Sequence, residues 1–314
     1  MSSSRILQVS ICTGDAEKSL SFFRDFVGLS VTDDRSVDCD EAKKLWGLQN
    51  VTAVRSVTLK SPLQSSLVEL LEFAPAADLT IRKYARNWDY GLFNLGFVVN
   101  DIDSVFRRLA AMGYRSLSDP VTYAPLGNKV REVIAIVEDD VPIVHLDRLK
   151  GTDSCGRAGY LRLNHSLIIV DEVSQVTSFY HDVFGLDITR NAVLPEGAVD
   201  TVLALPGGTA SKIAFVGDRD RESLVLVFME LSVKGRTLAP IAHPPNRGLF
   251  MLTLETNNLV DTLARAQSKG IRAQNGPFFI SSRRHGRVLL AHLRCPGGVL
   301  IEIIERVEDR HTNQ

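Results

Sequence analysis

Two carboxylates of this chain stand inside apolar runs: Glu230 in Phe228-Met229-Glu230-Leu231 and Glu302 in Leu300-Ile301-Glu302-Ile303-Ile304. A histidine, His165, stands in a third such run, Leu163-Asn164-His165-Ser166-Leu167. An ionised carboxylate on a buried strand loses its hydration, so it needs a metal ion or a cationic side chain opposite it. Imidazole and carboxylate together are donors for a divalent ion acting as a Lewis acid. Without an ion, one Glu in an apolar pocket would be a base with a raised pKa. Each residue also has a plainer reading. A lone His on an apolar strand is more often core than ligand, and Glu72 and Glu305 read as exposed strand charges. His145, close to Asp147, reads as a strand-end histidine near a carboxylate. The run Arg283-Arg284-His285-Gly286-Arg287 reads as a hairpin turn. Folded over a pocket, it would hold an anionic substrate through bidentate arginine contacts. Trp46 and Phe278-Phe279 would wall an apolar pocket or simply fill core.

The elements that must carry these residues occur twice. Phe22–Leu29 (FFRDFVGL) returns as Phe179–Leu186 (FYHDVFGL), an offset of 157 positions (179 − 22). Gly91-Leu92-Phe93 meets Gly248-Leu249-Phe250, Gly113 meets Gly270, and Pro120 meets Pro277, all at that same offset. The chain is therefore a tandem duplication of a unit of ordinary domain size. Each copy opens with a short apolar strand, Ile6–Cys12 or Leu163–Val170, followed by an acidic helix start and a helix closed by Gly28 or Gly185. Strand-like runs follow, in the second copy Ala198–Leu205, Lys212–Val216 and Leu224–Leu231. The pattern then restarts inside each copy, so a strand, a helix and three strands are used four times. Lys150–Gly159, rich in Gly, Ser and Thr, links the copies.

Composition narrows the function classes. With 314 residues and 45% apolar content the chain can bury two ordinary cores. A formal charge of −1 gives no overall field for nucleic acid or an anionic membrane. No apolar run approaches the ~18 residues of a membrane span, and the N-terminus lacks a secretory apolar core. The four scattered cysteines, Cys12, Cys39, Cys155 and Cys295, form neither a zinc spacing nor a disulfide framework. A reduced, cytoplasmic compartment is expected.

The four βαβββ units, the Phe179–Leu186 helix end and the run Cys295-Pro296-Gly297-Gly298-Val299-Leu300-Ile301-Glu302 resemble the vicinal oxygen chelate superfamily. That superfamily holds glyoxalase I, methylmalonyl-CoA epimerase, fosfomycin resistance proteins and extradiol dioxygenases. The resemblance covers the chain apart from its ends and linker. It implies an α+β fold of four βαβββ modules paired into two tandem glyoxalase-like domains with cupped mixed sheets. The domains would be residues 1–150, structural or degenerate, and residues 160–308, carrying the active site. The family's ligand positions lie on the first, fourth, fifth and eighth strands of such a domain. They fall on His165, Glu230, Met251 and Glu302 in the second copy, and on Gln8, Glu69, Asn94 and His145 in the first. The first and fifth positions of one copy would face each other across one cup.

The resemblance thus implies a glyoxalase- or epimerase-type lyase or isomerase. His165, Glu230 and Glu302 would hold Mn, Fe, Ni, Co or Zn, the ion would chelate vicinal oxygens of a small substrate, and Glu230 or Glu302 would carry the proton. Met251, Arg283 and His145 would line the pocket. An extradiol ring-cleaving dioxygenase is the runner-up, disfavoured because the soft thioether of Met251 replaces the usual His. A metal-free acid–base enzyme or small-ligand binding protein is third. The two-domain layout also allows a homo-oligomer.

Overall fold

The computed structural model describes residues 4–61, 65–149, 159–218, 223–282 and 284–307. Most of the linker Lys150–Gly159 lies outside these residues, as does Arg283. The four modules are as expected. The first has β1 (Arg5–Thr13), α1 (Ala16–Leu20), β2 (Ser30–Val37), α2 (Cys39–Trp46), β3 (Ala53–Lys60) and β4 (Leu67–Ala74). The second has β5 (Gly91–Val99), α3 (Ile102–Ala111), the short β6 (Arg115–Ser116) and β7 (Val121–Tyr123), β8 (Val130–Ile136) and β9 (Pro142–Asp147). The third has β10 (Tyr160–Val170), α4 (Val173–Phe184), β11 (Asp187–Leu194), α5 (Asp200–Leu203), β12 (Ser211–Gly217) and β13 (Val225–Leu231). The fourth has β14 (Gly248–Glu255), α6 (Leu259–Ser268), β15 (Ala273–Ser282), β16 (Gly286–Arg294) and β17 (Leu300–Arg306).

Local chemistry sets the helix ends. Asp15, Asp101 and Asn258 each accept a first-turn N–H, from Lys18, Ser104 and Asp261. Gly185 closes α4 in the left-handed conformation, which costs a glycine little. One expected strand is not one: Ala198–Leu205 contains the helical turn α5, and the strand that pairs there is β11. As an edge strand largely in contact with water, β11 shows no apolar alternation by which to find it.

Module pairing departs from the expectation. One sheet has the order β15-β16-β17-β14-β1-β4-β3-β2, joining the first module to the fourth. The other runs β11-β12-β13-β10-β5-β9-β8-β6 and joins the third to the second. Cups are thus built across the copies, and neither 1–150 nor 160–308 contains a whole one. Gln8 stands opposite Thr253, and His165 opposite Gly96. The repeat makes β5 and β14 equivalent as antiparallel partners for β1, so periodicity alone could not choose between them. The segments that carry the chain between cups cross each other. Isolated bridges pair Thr80 with Arg247 and Tyr90 with Thr237, and the 157-residue shift exchanges them (237 − 80 and 247 − 90). At the crossing, fully buried Asp89 is bound by Arg86 at 3.0 Å and Arg236 at 3.2 Å.

Helices α1, α3, α4 and α6 lie on the convex faces of the sheets, and one large apolar core there unites Phe22, Phe97, Ile168, Tyr180 and Ile303 from both sheets. The concave faces hold separate clusters. Among the described residues, no helix is long and apolar enough to cross a membrane.

Candidate functional site: two unlike cups

The first cup is closed by an ion cluster. Glu69 on β4 and Glu302 on β17 face inward, and Arg284, at the β15–β16 turn, reaches between them. Its Nε donates to Glu69 Oε1 at 2.8 Å and its Nη2 to Glu69 Oε2 at 2.9 Å. Nη1 and Nη2 donate to Glu302 at 3.1 and 3.3 Å. All three side chains are at most 1% exposed. Glu69 also accepts from Gln8, Ser10 and Ser56. Glu302 accepts from Thr253, and from the Nε2 atoms of His285 at 2.9 Å and His292 at 3.2 Å. Burial alone would raise both carboxyls. The Arg284 charge and these hydrogen bonds outweigh it, holding Glu69 below the usual range and Glu302 well below. Trp46 of α2 lies against the guanidinium, its ring centroid 5.1 Å away.

The second cup holds a cavity of about 420 Å³, a size suited to a small ligand. One side is apolar, with Leu194, Val202, Leu203, Phe215 and Met229. The other carries Asn94, Tyr123, Glu132, Asn164 and His165. Lys129, Arg148 and Arg190 add positive charge to the lining, and all three are exposed at its rim. Glu132, on β8, accepts a hydrogen bond from the Tyr123 hydroxyl at 2.7 Å. Burial against this wall raises its carboxyl to about 7, with the Tyr123 bond opposing. Burial, and then the nearby Arg148, lowers His165 to about 4, so its ring is neutral at neutral pH. Arg148 donates to the Asn164 carbonyl, so the Asn164 amide donates to His165 Nδ1, 2.9 Å away. A neutral ring bonded in this way carries its proton on Nε2. The ring lies flat over Gly96, where any Cβ would collide with it.

The residues expected to form one site are dispersed. His165 lines the second cup and Glu302 the first. Glu230 faces the helix side, where it accepts from Val173 N at 3.1 Å and pairs with Lys212 at 2.8 Å. The position matching Glu69 is Val227, because Ser10 pairs with Glu69 and its repeat partner Leu167 pairs with Val227. Glu230 instead matches Glu72, which accepts from Ala16 N, and Glu305 does the same for Leu259 N. All three carboxylates satisfy a helix start, as the dipole favours; Glu72 and Glu305 are therefore not simple exposed charges. His145 is likewise off the cup. Glu302 pairs with Thr253, but Gly96 pairs with Val144, so a one-residue slip turns His145 to the opposite face. There it is fully buried against Tyr160, and burial lowers it to about 3. Met251 is fully buried in a first-cup cluster with Phe250 and Phe73. Of that turn, Arg284–Arg287 are described and do fold over a cup, but Arg284 binds the chain's own carboxylates. Sequence reasoning missed Glu132 and Tyr123, because Arg131-Glu132 reads as a solvated charged pair.

Neither cup offers a donor set suited to the divalent ion that the fold implies. In the first, Arg284 occupies the oxygens of both carboxylates, and the fourth position is the thioether of Met251. In the second, two positions are Val144 and Val227, leaving one imidazole and the amide of Asn94. Among the described residues, no three His, Cys, Asp or Glu are grouped as an ion site.

Known proteins agree with the fold. The sequence profile of the Glyoxalase/Bleomycin resistance protein/Dioxygenase superfamily matches residues 5–139 and 162–303. Methylmalonyl-CoA epimerase of Mus musculus mitochondria is 27% identical over 143 residues, which is 45% of this chain and 71% of that protein. The Homo sapiens protein is 26% identical over 143 residues, 45% of this chain and 72% of its own length. Glyoxalase I from Zea mays superposes with a TM-score of 0.69 at 14% identity, covering 97% of this chain and 93% of that one. A putative dioxygenase from Bacillus subtilis gives 0.60 at 11% identity, covering 96% and 84%. At such identities the two structures speak for the fold alone.

Proposed function

The chain belongs to the glyoxalase/bleomycin resistance protein/dioxygenase superfamily, and on that premise we propose that it is a proton-transfer isomerase or lyase working in the cavity of the second cup. The observation that carries this reading is Glu132, a carboxyl raised to about 7 and facing the cavity that the neutral His165 also lines. A base works best when its pKa lies near the operating pH. As carboxylate, Glu132 removes a proton from a carbon next to a carbonyl. The His165 Nε2–H donates to the resulting enolate oxygen, and Glu132, now the acid, returns the proton to the same or a neighbouring carbon. Tyr123 holds the carboxyl in place throughout. The substrate class is a small molecule with an apolar body and an anionic group, the latter directed to Lys129, Arg148 and Arg190. The epimerases among the relatives accord with chemistry of this kind.

The test is solvent-deuterium exchange. Carboxylic acids and acyl thioesters with a C–H beside the carbonyl are incubated in D₂O and followed by NMR. The wild type exchanges one such C–H, and Glu132→Gln slows this by about 100-fold or more. The wild-type exchange rate rises with pH through a midpoint near 7, as does a ¹³C titration of the Glu132 carboxyl. Full exchange by Glu132→Gln would sink the assignment.

A further inference from the structure

The first cup poses a separate question that does not depend on the cavity: why two carboxylates buried at most 1% exposed face each other there. Isolated, such a pair would repel and lose its hydration. A divalent ion between them would resolve this, and so does a guanidinium, whose planar fork matches two carboxylates at once. Arg284 makes four hydrogen bonds, two to each carboxylate. Its side chain is 1% exposed and is covered by the Trp46 ring. It is carried by the chain itself, at the turn between β15 and β16. In the second cup, where valines stand at the two carboxylate positions, the residue 157 positions before Arg284 is Gly127 (284 − 157).

We propose that Arg284 is the resident cation of the first cup, standing where an ion would stand, and that removing its guanidinium turns the cup into a divalent-metal site. Without it, Glu69 and Glu302 regain free oxygens beside the Gln8 amide. The imidazoles of His285 and His292 are already within 2.9 and 3.2 Å of Glu302. That set of oxygen and nitrogen donors suits Co²⁺, Ni²⁺ or Zn²⁺. The cup therefore differs from an ion site by one side chain.

Co²⁺ is the probe, read by visible d–d absorption and by equilibrium dialysis on the full chain after chelator treatment. Wild type takes up no stoichiometric Co²⁺ in the cup. Arg284→Ala takes up one per chain, about 100-fold tighter than wild type, and adding Glu69→Gln and Glu302→Gln removes it. Two results overturn the proposal. In one, wild type binds one Co²⁺ that Glu69→Gln with Glu302→Gln abolishes, so the arginine yields to the ion. In the other, folded Arg284→Ala binds none. If Arg284→Ala does not fold alone, refolding with Co²⁺ decides: recovery supports the proposal, and failure contradicts it. Arg284→Lys, which keeps a cation, folds and takes up no Co²⁺; uptake by it would also overturn the assignment.

Discussion

The two cups share a module plan, a strand order and a register, yet one is closed and the other open. In the first, the two-turn helix α2 lays Leu45 and Trp46 across the mouth, and the β15–β16 turn drops Arg284 onto buried carboxylates. In the second, the helix at the same place in the module is the single turn α5, whose Val202 and Leu203 only line a wall. The two carboxylates of the first cup are matched by Val227 and Val144. With no facing pair of carboxylates to neutralise, the second cup needs no cation at its centre, and its interior remains a cavity. The comparison teaches that in this fold the charge pattern at two strand positions decides whether a cup becomes a lock or a pocket.

The sharpest way to break the contrast is to delete one member of the lock. Glu302→Ala leaves Arg284, His285 and His292 short of an acceptor, and urea unfolding should show a loss of about 3–5 kcal/mol. In the pocket, Glu132→Gln keeps a polar partner for Tyr123 and should stay within about 1 kcal/mol of wild type while slowing exchange by about 100-fold or more. Equal stability losses would erase the distinction.

Stability against pH separates the cups by sign. Glu69 and Glu302 have folded pKa values below their unfolded ones, so their stabilisation is present above the ordinary carboxylate range and is lost as pH falls from that range through the lowered folded values. Glu132, raised to about 7 from an ordinary value of about 4.3, instead costs stability as pH climbs between those limits. His165 at about 4, and His145 in the shared core at about 3, stay neutral in the fold while unfolded histidines protonate below about 6.5. Each therefore removes up to about 1.4 kcal/mol per pH unit as the solution is acidified below that point. Chemical denaturation at a series of pH values should show His145→Leu losing less stability on acidification than wild type. An unchanged slope would contradict the burial argument.

A smaller effect comes from Gly96 and Thr253, repeat equivalents (253 − 96 = 157) that stand opposite His165 and Gln8. Gly96→Ala forces the His165 ring off its seat and should cost about 1–3 kcal/mol, with the His165 NMR signals shifted. Thr253→Val in the lock removes one hydrogen bond to Glu302 and should cost about 0.5–1.5 kcal/mol. Smallest of all are Glu72→Gln, Glu230→Gln and Glu305→Gln. Each weakens a helix start by less than about 1 kcal/mol and leaves deuterium exchange intact. Loss of exchange in Glu230→Gln would restore that residue to the site.

Much of the fold could be read from the residues, because the 157-residue offset repeats landmarks whose physics is local: apolar strands, acidic helix starts and terminal glycines. The buried state of Glu302 followed from its apolar neighbours, and its need for a cation from desolvation. What could not be read depends on registers and partners that are not local. A slip of one residue put Val144 rather than His145 in the cup, and one of three put Val227 there rather than Glu230. Sequence spacing does not reveal such slips when insertions sit in the intervening hairpins. The exchange of modules between copies was hidden by the repeat's own symmetry. Arg284 stood in a turn already singled out, but nothing local told that it would face inward.

The crossing of the two connecting segments at Asp89 has a consequence for history. A single repeat contributes half of each cup, so an ancestor one repeat long could complete a cup only by embracing a second copy of itself. Both cups of that symmetric dimer would have been identical, and any mutation would have struck both. Two copies in one chain are free of that constraint. Within one chain the two cups are free to differ, one closed around Arg284 and its twin a cavity.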